Sequence, residues 1–280
     1  MTAALTILAE NKVGLGMGLI GEHGFCAHLE AGGRKILWDA GQGFCLPHNA
    51  PRLGVDLKKV DLIALSHGHF DHTGGLAHAL AARGGGEVVC HPACFERKKA
   101  RRNLFGRVVE VSIGMPASRS QLKELGGGFN FEEDSKELAP GVHFFTSIPM
   151  TNDYEEIEPG FFVDTPEGER PDTLPDDAAL AVVTDKGVSV ILGCAHRGIV
   201  NTLTHIQSRL ACDGFYSVWG GTHMVDRTAE AVAAEIAALR ELKVNMIATA
   251  HCTGFQNEMK LAEAFGERFA FACVGARAEL

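Results

Sequence analysis

The chain holds 280 residues, 46% of them hydrophobic, with 33 glycines and 35 acidic against 26 basic side chains for a net charge of −9. That length can enclose a well-buried core, as one large domain or two smaller ones, and the glycine count fits a globular α/β protein with many tight turns. The acidic balance argues against an extended nucleic-acid track, which needs clustered positive charge, and no apolar run approaches the roughly 20 residues that span a bilayer.

In chain order, strands are expected at 3–8, 25–30, 35–39, 61–66, 87–91, 107–112, 142–147, 179–184, 188–193, 215–219, 246–250 and 269–274. Helices are expected at 75–83, 199–211, 227–242 and 256–265, from apolar positions that recur every three or four residues. In the third helix Val232, Ile236 and Leu239 share one face, with Asp226 as the N-cap. Two sheets face to face with helices outside, a four-layer αββα sandwich, satisfy this order as one domain over 1–280. The first ten residues lack the basic region and long apolar stretch of an export signal. Eight cysteines are dispersed rather than spaced as a disulfide scaffold, and Cys90 and Cys94 lack the companion pair of a zinc site. A reduced, cytoplasmic protein is the expectation.

The densest chemistry lies in Ser66-His67-Gly68-His69-Phe70-Asp71-His72-Thr73-Gly74-Gly75, where three imidazoles and a carboxylate fall within six positions. A buried strand precedes this run and a helix follows it, so the cluster sits on a turn at a strand's carboxyl end. His67 and His69 are two apart and can both bend inward from an extended backbone. Asp71 and His72 are adjacent and diverge. The economical arrangement is two ions side by side, His67 and His69 on one, Asp71 and His72 on the other. Mixed nitrogen and oxygen donors suit zinc first, with manganese or iron as alternatives, and paired hydrolytic ions sit roughly 3.5–4 Å apart. Asp71 and His69 are the candidate catalytic residues, Asp71 also accepting a hydrogen bond from the attacking water.

The H-x-H-x-D-H pattern after an apolar strand resembles the signature of the metallo-β-lactamase superfamily. Lys35-Ile36-Leu37-Trp38-Asp39-Ala40-Gly41 resembles the early strand of that family, which implies that Asp39 orients a ligand imidazole. The apolar strands that lead into His196 and His251 imply one further imidazole for each ion. Gly193-Cys194-Ala195-His196-Arg197-Gly198, Trp219-Gly220-Gly221-Thr222-His223-Met224 and Ala250-His251-Cys252-Thr253-Gly254 are similar to the branch named for dihydropterin-ribofuranosyl-aminobenzene-phosphate synthase. The chain departs from the wider family at Gly193-Cys194, where many members have Gly-Asp with a bridging carboxylate. Cys194 is therefore either a thiolate ligand or a small buried residue, and His223 either a metal ligand or a substrate contact.

Two segments stand apart. Residues 93–106 carry Arg97, Lys98, Lys99, Arg101 and Arg102, read as a solvated helix or loop or, with Arg197, as a grip on an anionic substrate group. Residues 149–177 are rich in proline and acid and read as a long loop with little regular structure, a lid or insertion with Phe161 and Phe162 as an apolar wall. Histidines 23, 28, 48, 78, 91, 143 and 205 have no matching context. The expected function is a dinuclear metal-dependent hydrolase acting on an ester, lactone or phosphoester small molecule. Its partners are small molecules, anionic ones among them, and copies of itself as a homo-oligomer, with neither nucleic acid nor membrane. The alternatives are a pterin-condensing transferase and a non-hydrolytic metal-binding protein.

Overall fold

In a computed structural model, which describes residues 2–15 and 18–280, two seven-stranded sheets lie face to face. Across its width the first sheet runs Arg277–Glu279, Ala4–Ala9, Cys26–Ala31, Arg34–Trp38, Leu62–Ala64, Gly86–Cys90 and Gly127–Phe131. Pairing is antiparallel up to Arg34–Trp38 and parallel beyond it. The second runs Phe269–Phe271, Val244–Ala250, Phe215–Gly221, Gly187–Leu192, Ala179–Thr184, Val142–Phe145 and Ser135–Ala139. Here the first four strands are parallel and the rest antiparallel.

Alternating residues of these strands, among them Leu5, Ile7, Ile36, Trp38, Phe144 and Ile191, meet between the sheets in one buried core. The Trp38 indole crosses that core and donates to the Leu192 carbonyl at 3.2 Å. Helices Cys45–Arg52, Leu76–Arg83 and Arg119–Glu124 cover the outer face of the first sheet through Leu46, Leu76, Leu80 and Leu122. Helices Ile199–Leu210, Ala229–Glu241 and Phe255–Phe265 cover the second through Leu203, Val232, Leu239 and Leu261. The result is the expected αββα sandwich. The third expected helix is capped by Thr228, whose hydroxyl accepts from the Ala231 amide at 3.2 Å, and not by Asp226.

The segments read as a solvated helix or loop and as a long loop supply three strands that join the expected strand at 107–112 in a third sheet, in the order Gly168–Pro171, Phe161–Thr165, Arg97–Leu104, Arg107–Ser112. The charge run at 97–102 hides a period of two. Lys98 and Ala100 point inward and are buried, whereas Lys99 and Arg101 point outward to Asp164, Glu169 and Glu110. Phe161 faces in and is buried, and Phe162 faces out beneath the Arg101 guanidinium at 4.5 Å. Acidic partners let a strand of basic residues pair with a proline-punctuated neighbour.

A separate buried cluster reports on pH. Glu235 is fully buried on the helix Ala229–Glu241, and neither carboxyl oxygen has a hydrogen-bond partner. Burial, reinforced by Glu155 and only partly opposed by Arg227, pushes its carboxyl up from 4.5 to about 8. The folded chain thus holds a proton that the unfolded chain releases, so this group's contribution to stability falls as pH rises from 4.5 to about 8. Glu235→Gln is expected to raise stability at pH 8 by about 1–3 kcal/mol and to flatten that slope, as urea denaturation at several pH values would read.

Candidate metal centre

Each turn that carries a singled-out histidine leaves the carboxyl end of a parallel strand, the usual position of sites in such sheets. The 67–72 run follows Leu62–Ala64, Cys194 and His196 follow Gly187–Leu192, His223 follows Phe215–Gly221, and His251 follows Val244–Ala250. Because the parallel halves of the two sheets face each other, these four turns converge. His67 Nε2 lies 3.0 Å from His69 Nδ1 and 3.2 Å from His196 Nε2. Beside this group, Asp71 Oδ2 lies 3.0 Å from His251 Nε2 and 3.7 Å from His72 Nε2. The Cys194 thiol stands between the two groups, 3.1 Å from His72 Nε2 and within 4.8 Å of a His67 ring nitrogen.

Hydrogen bonds fix which nitrogen faces inward in three of these rings. Asp39 Oδ2 accepts from His72 Nδ1 and from the Ser66 hydroxyl, both at 2.7 Å, and the same hydroxyl accepts from His67 Nδ1 at 2.9 Å. One buried carboxylate therefore orients two imidazoles, directly and through Ser66, and assigns both their Nδ1 protons. Asn11 Oδ1 does the same for His251 Nδ1 at 2.9 Å. Gly193 is held close to this relay, since any Cβ there would fall 2.1 Å from the Ser66 hydroxyl. Of nine non-glycine residues with positive φ among those described, Asp39, Ala195, His223 and His251 border this centre. Backbone strain of that kind is concentrated where surrounding structure over-determines it.

Burial keeps these rings neutral. It drives His67 and His196 well below the usual histidine range, His69 to about 3 and His251 to about 4. His72 is the exception: burial opposes its charge, but Asp39 and Asp71 raise it to about 9. Asp71 stays ionised despite its burial because His72 and His251 stabilise the anion. His67, its proton held on Nδ1 by Ser66, turns an Nε2 lone pair toward ring nitrogens of His69 and His196. Three neutral imidazoles that converge in this way form a cradle that suits a cation. The donor set of His67, His69 and His196, next to Asp71, His72 and His251 with the Cys194 thiol between, could hold divalent transition metal. Asp39→Asn is expected to weaken metal affinity about 10–100-fold, read by competition with a chromophoric chelator.

The centre opens into a cavity of about 620 Å³. His223 lines it with its ring 4.1 Å from that of His196, but His223 belongs to none of the potential metal-binding groups among the described residues, so it borders the cavity. His23, which its sequence context leaves unassigned, also lines the cavity, 3.4 Å from Asp71 Oδ2 and 4.6 Å ring to ring from His251. Ser66, Asn11 and Cys252 join the site unannounced; only the place of Ser66 and Cys252 beside ligand histidines signals them. The expected anion grip is not formed by Arg97, Lys98 or Arg197, although Arg102 of the same run lines the cavity. Lys98 is sealed between Asp172 at 2.7 Å and Asp176 at 2.9 Å. Arg197 is tied to the Ile148 and Thr173 carbonyls, and Arg97, Lys98 and Arg197 do not line the cavity.

A family model described as the metallo-beta-lactamase superfamily matches residues 20–200. The 7,8-dihydropterin-6-methyl-4-(beta-D-ribofuranosyl)-aminobenzene-5'-phosphate synthase of Methanocaldococcus jannaschii is 31% identical over 274 residues, covering 94% of this chain and 91% of that protein. Among solved structures, Tm1679, a metal-dependent hydrolase of the beta-lactamase superfamily, superposes with a TM-score of 0.84 at 25% identity over 99% of each chain. A diphosphatase of the PhnP family shares the fold at a TM-score of 0.54 and 14% identity, over 100% of this chain and 98% of its own.

Proposed function

We infer that this chain, which belongs to the metallo-beta-lactamase superfamily, is a dinuclear metal-dependent hydrolase of ester, lactone or phosphoester small molecules. The observation that carries this reading is the convergence of His67, His69 and His196 beside Asp71, His72 and His251 at the floor of a cavity. Bound there, two ions, with zinc the first candidate, would supply Lewis acidity and bring the pKa of a water toward about 7. Asp71, held ionised, accepts a hydrogen bond from the attacking water and orients it. Asp39 and Ser66 keep the imidazole lone pairs aimed inward through the reaction. Phe70 and Phe161 form an apolar wall that restricts bulk water. Protein stripped with a chelator is expected to lose turnover and to regain it with Zn or Mn. Activity that survives both chelation and His69→Ala would overturn the reading.

A second reading takes its support from the 31% identical Methanocaldococcus jannaschii relative: a condensing transferase of the same site. Incubation with a dihydropterin diphosphate and a ribofuranosyl-aminobenzene phosphate, followed by mass spectrometry, separates the two. A condensed product favours the transferase, and hydrolytic products alone favour the hydrolase.

A further inference from the structure

The walls above the metal centre differ in character from its floor. Phe70, Ile113 and Phe161 line the cavity, and Val111, Val225 and Phe255 continue the lining outward, where they are 42%, 50% and 71% exposed. Large apolar side chains left in water around a cavity mouth mark a surface that a ligand covers. The charges on the same walls are already matched. Among the described residues, Lys12 and Arg102 are the only lysine or arginine side chains in the lining. Lys12 is paired with Glu258 and lies 3.9 Å from Glu10, and Arg102 is paired with Glu158. The Arg102 guanidinium also lies over the Phe161 ring at 5.3 Å. Asp226 and Glu258 add carboxylates to the lining. Beyond the metal centre and its histidines, a phosphate group would find no unpaired lysine or arginine among the described residues of these walls and would meet carboxylates.

We propose that the cavity takes an uncharged ester or lactone carrying an apolar acyl or aryl group, and discriminates against phosphorylated molecules. The proposal rests on the hydrolase reading and narrows it. In the reaction a water oxygen bonds to the carbonyl carbon, and the bond from that carbon to the alkoxy oxygen breaks. The alkoxy oxygen takes a proton from the water, so an ester yields an acid and an alcohol and a lactone opens to a single hydroxy acid. The apolar group lies along Val111, Val225 and Phe255, which makes Val225 and Phe255 determinants of specificity rather than of chemistry.

The test uses zinc-loaded protein and the variant Val225→Ser/Phe255→Ser, whose two sites are exposed enough to spare the fold. Turnover of 4-nitrophenyl acetate, butyrate and octanoate is compared with that of bis(4-nitrophenyl) phosphate. Binding of the neutral fluorophore N-phenyl-1-naphthylamine is measured separately and needs no turnover. The expected results are kcat/KM rising with acyl length, octanoate preferred over the phosphodiester, and fluorophore binding about 10-fold weaker in the variant. Metal content and the circular dichroism spectrum should stay unchanged in the variant. Ester hydrolysis with flat chain-length dependence, or fluorophore binding untouched by the variant, overturns the apolar specificity and leaves the hydrolase reading standing. Preference for the phosphodiester overturns it likewise. Fluorophore binding that the variant weakens, with no ester or phosphodiester hydrolysed at full metal content, retires the hydrolase reading and supports the apolar character of the pocket.

Discussion

His196→Ala is expected to cut turnover by about a thousandfold and to leave the protein holding fewer metal ions, with the fold intact by circular dichroism. His67 and His69 would remain, but two neighbouring imidazoles from one turn do not close a tetrahedral site without the third from the opposite sheet. An ion acting as a Lewis acid contributes several kcal/mol to a transition state, which corresponds to a loss of this size. The ring is buried and neutral, and the strained turn at Ala195 exists to deliver it. Alanine at this position removes a donor without leaving a buried charge, so the effect belongs to the metal centre and not to folding. Metal content by elemental analysis and kcat on the best available ester would be read together. Full metal content at wild-type turnover would remove His196 from the centre.

Lys98→Met is expected to destabilise the chain by about 3–5 kcal/mol, the usual cost of stripping one partner from a buried ionic group. Lys98 is the sole cation within hydrogen-bonding reach of Asp172 and Asp176 among the described residues, and all three side chains are fully buried. Its loss leaves two carboxylates without a counter-charge. Asp176 also accepts the Gly68 amide at 2.8 Å, the peptide between His67 and His69, so the same change loosens the turn that carries the first imidazole pair. Urea denaturation would show the loss of stability, and metal affinity should fall with it. Adding Asp172→Asn and Asp176→Asn to Lys98→Met should restore part of the stability, because the uncompensated charges are then gone. A single variant as stable as the parent would show that the triad carries no net structural weight.

The sandwich and the floor of the cavity were legible because both rest on local patterns. The donor-dense run after a short apolar strand announces His67, His69, Asp71 and His72, and the family resemblance supplies Asp39, His196 and His251. The third sheet was hidden for a physical reason. In Arg97–Leu104 and Phe161–Thr165 the inward face carries Lys98 and Arg102 along with Ala100, Phe161 and Val163, so alternation of charge partners replaces alternation of hydrophobicity. Pairing of opposite charges across strands has no signature in one strand's sequence. The same blindness turned Lys98 into a candidate substrate contact when its ammonium is sequestered. His23 and Asn11 were missed because their approach to His251 depends on how the segment after Ala4–Ala9 packs, a long-range fact with no local mark. Cys194 reads from sequence as either a thiolate ligand or a small buried residue, and its thiol lies beside both groups of donors.

Anomalous diffraction at the zinc edge from crystals grown with zinc bears most directly on whether these residues form a paired metal centre. Two peaks are expected, one within bonding distance of His67, His69 and His196 and the other of Asp71, His72 and His251. A single peak away from these side chains, or none, would contradict the account.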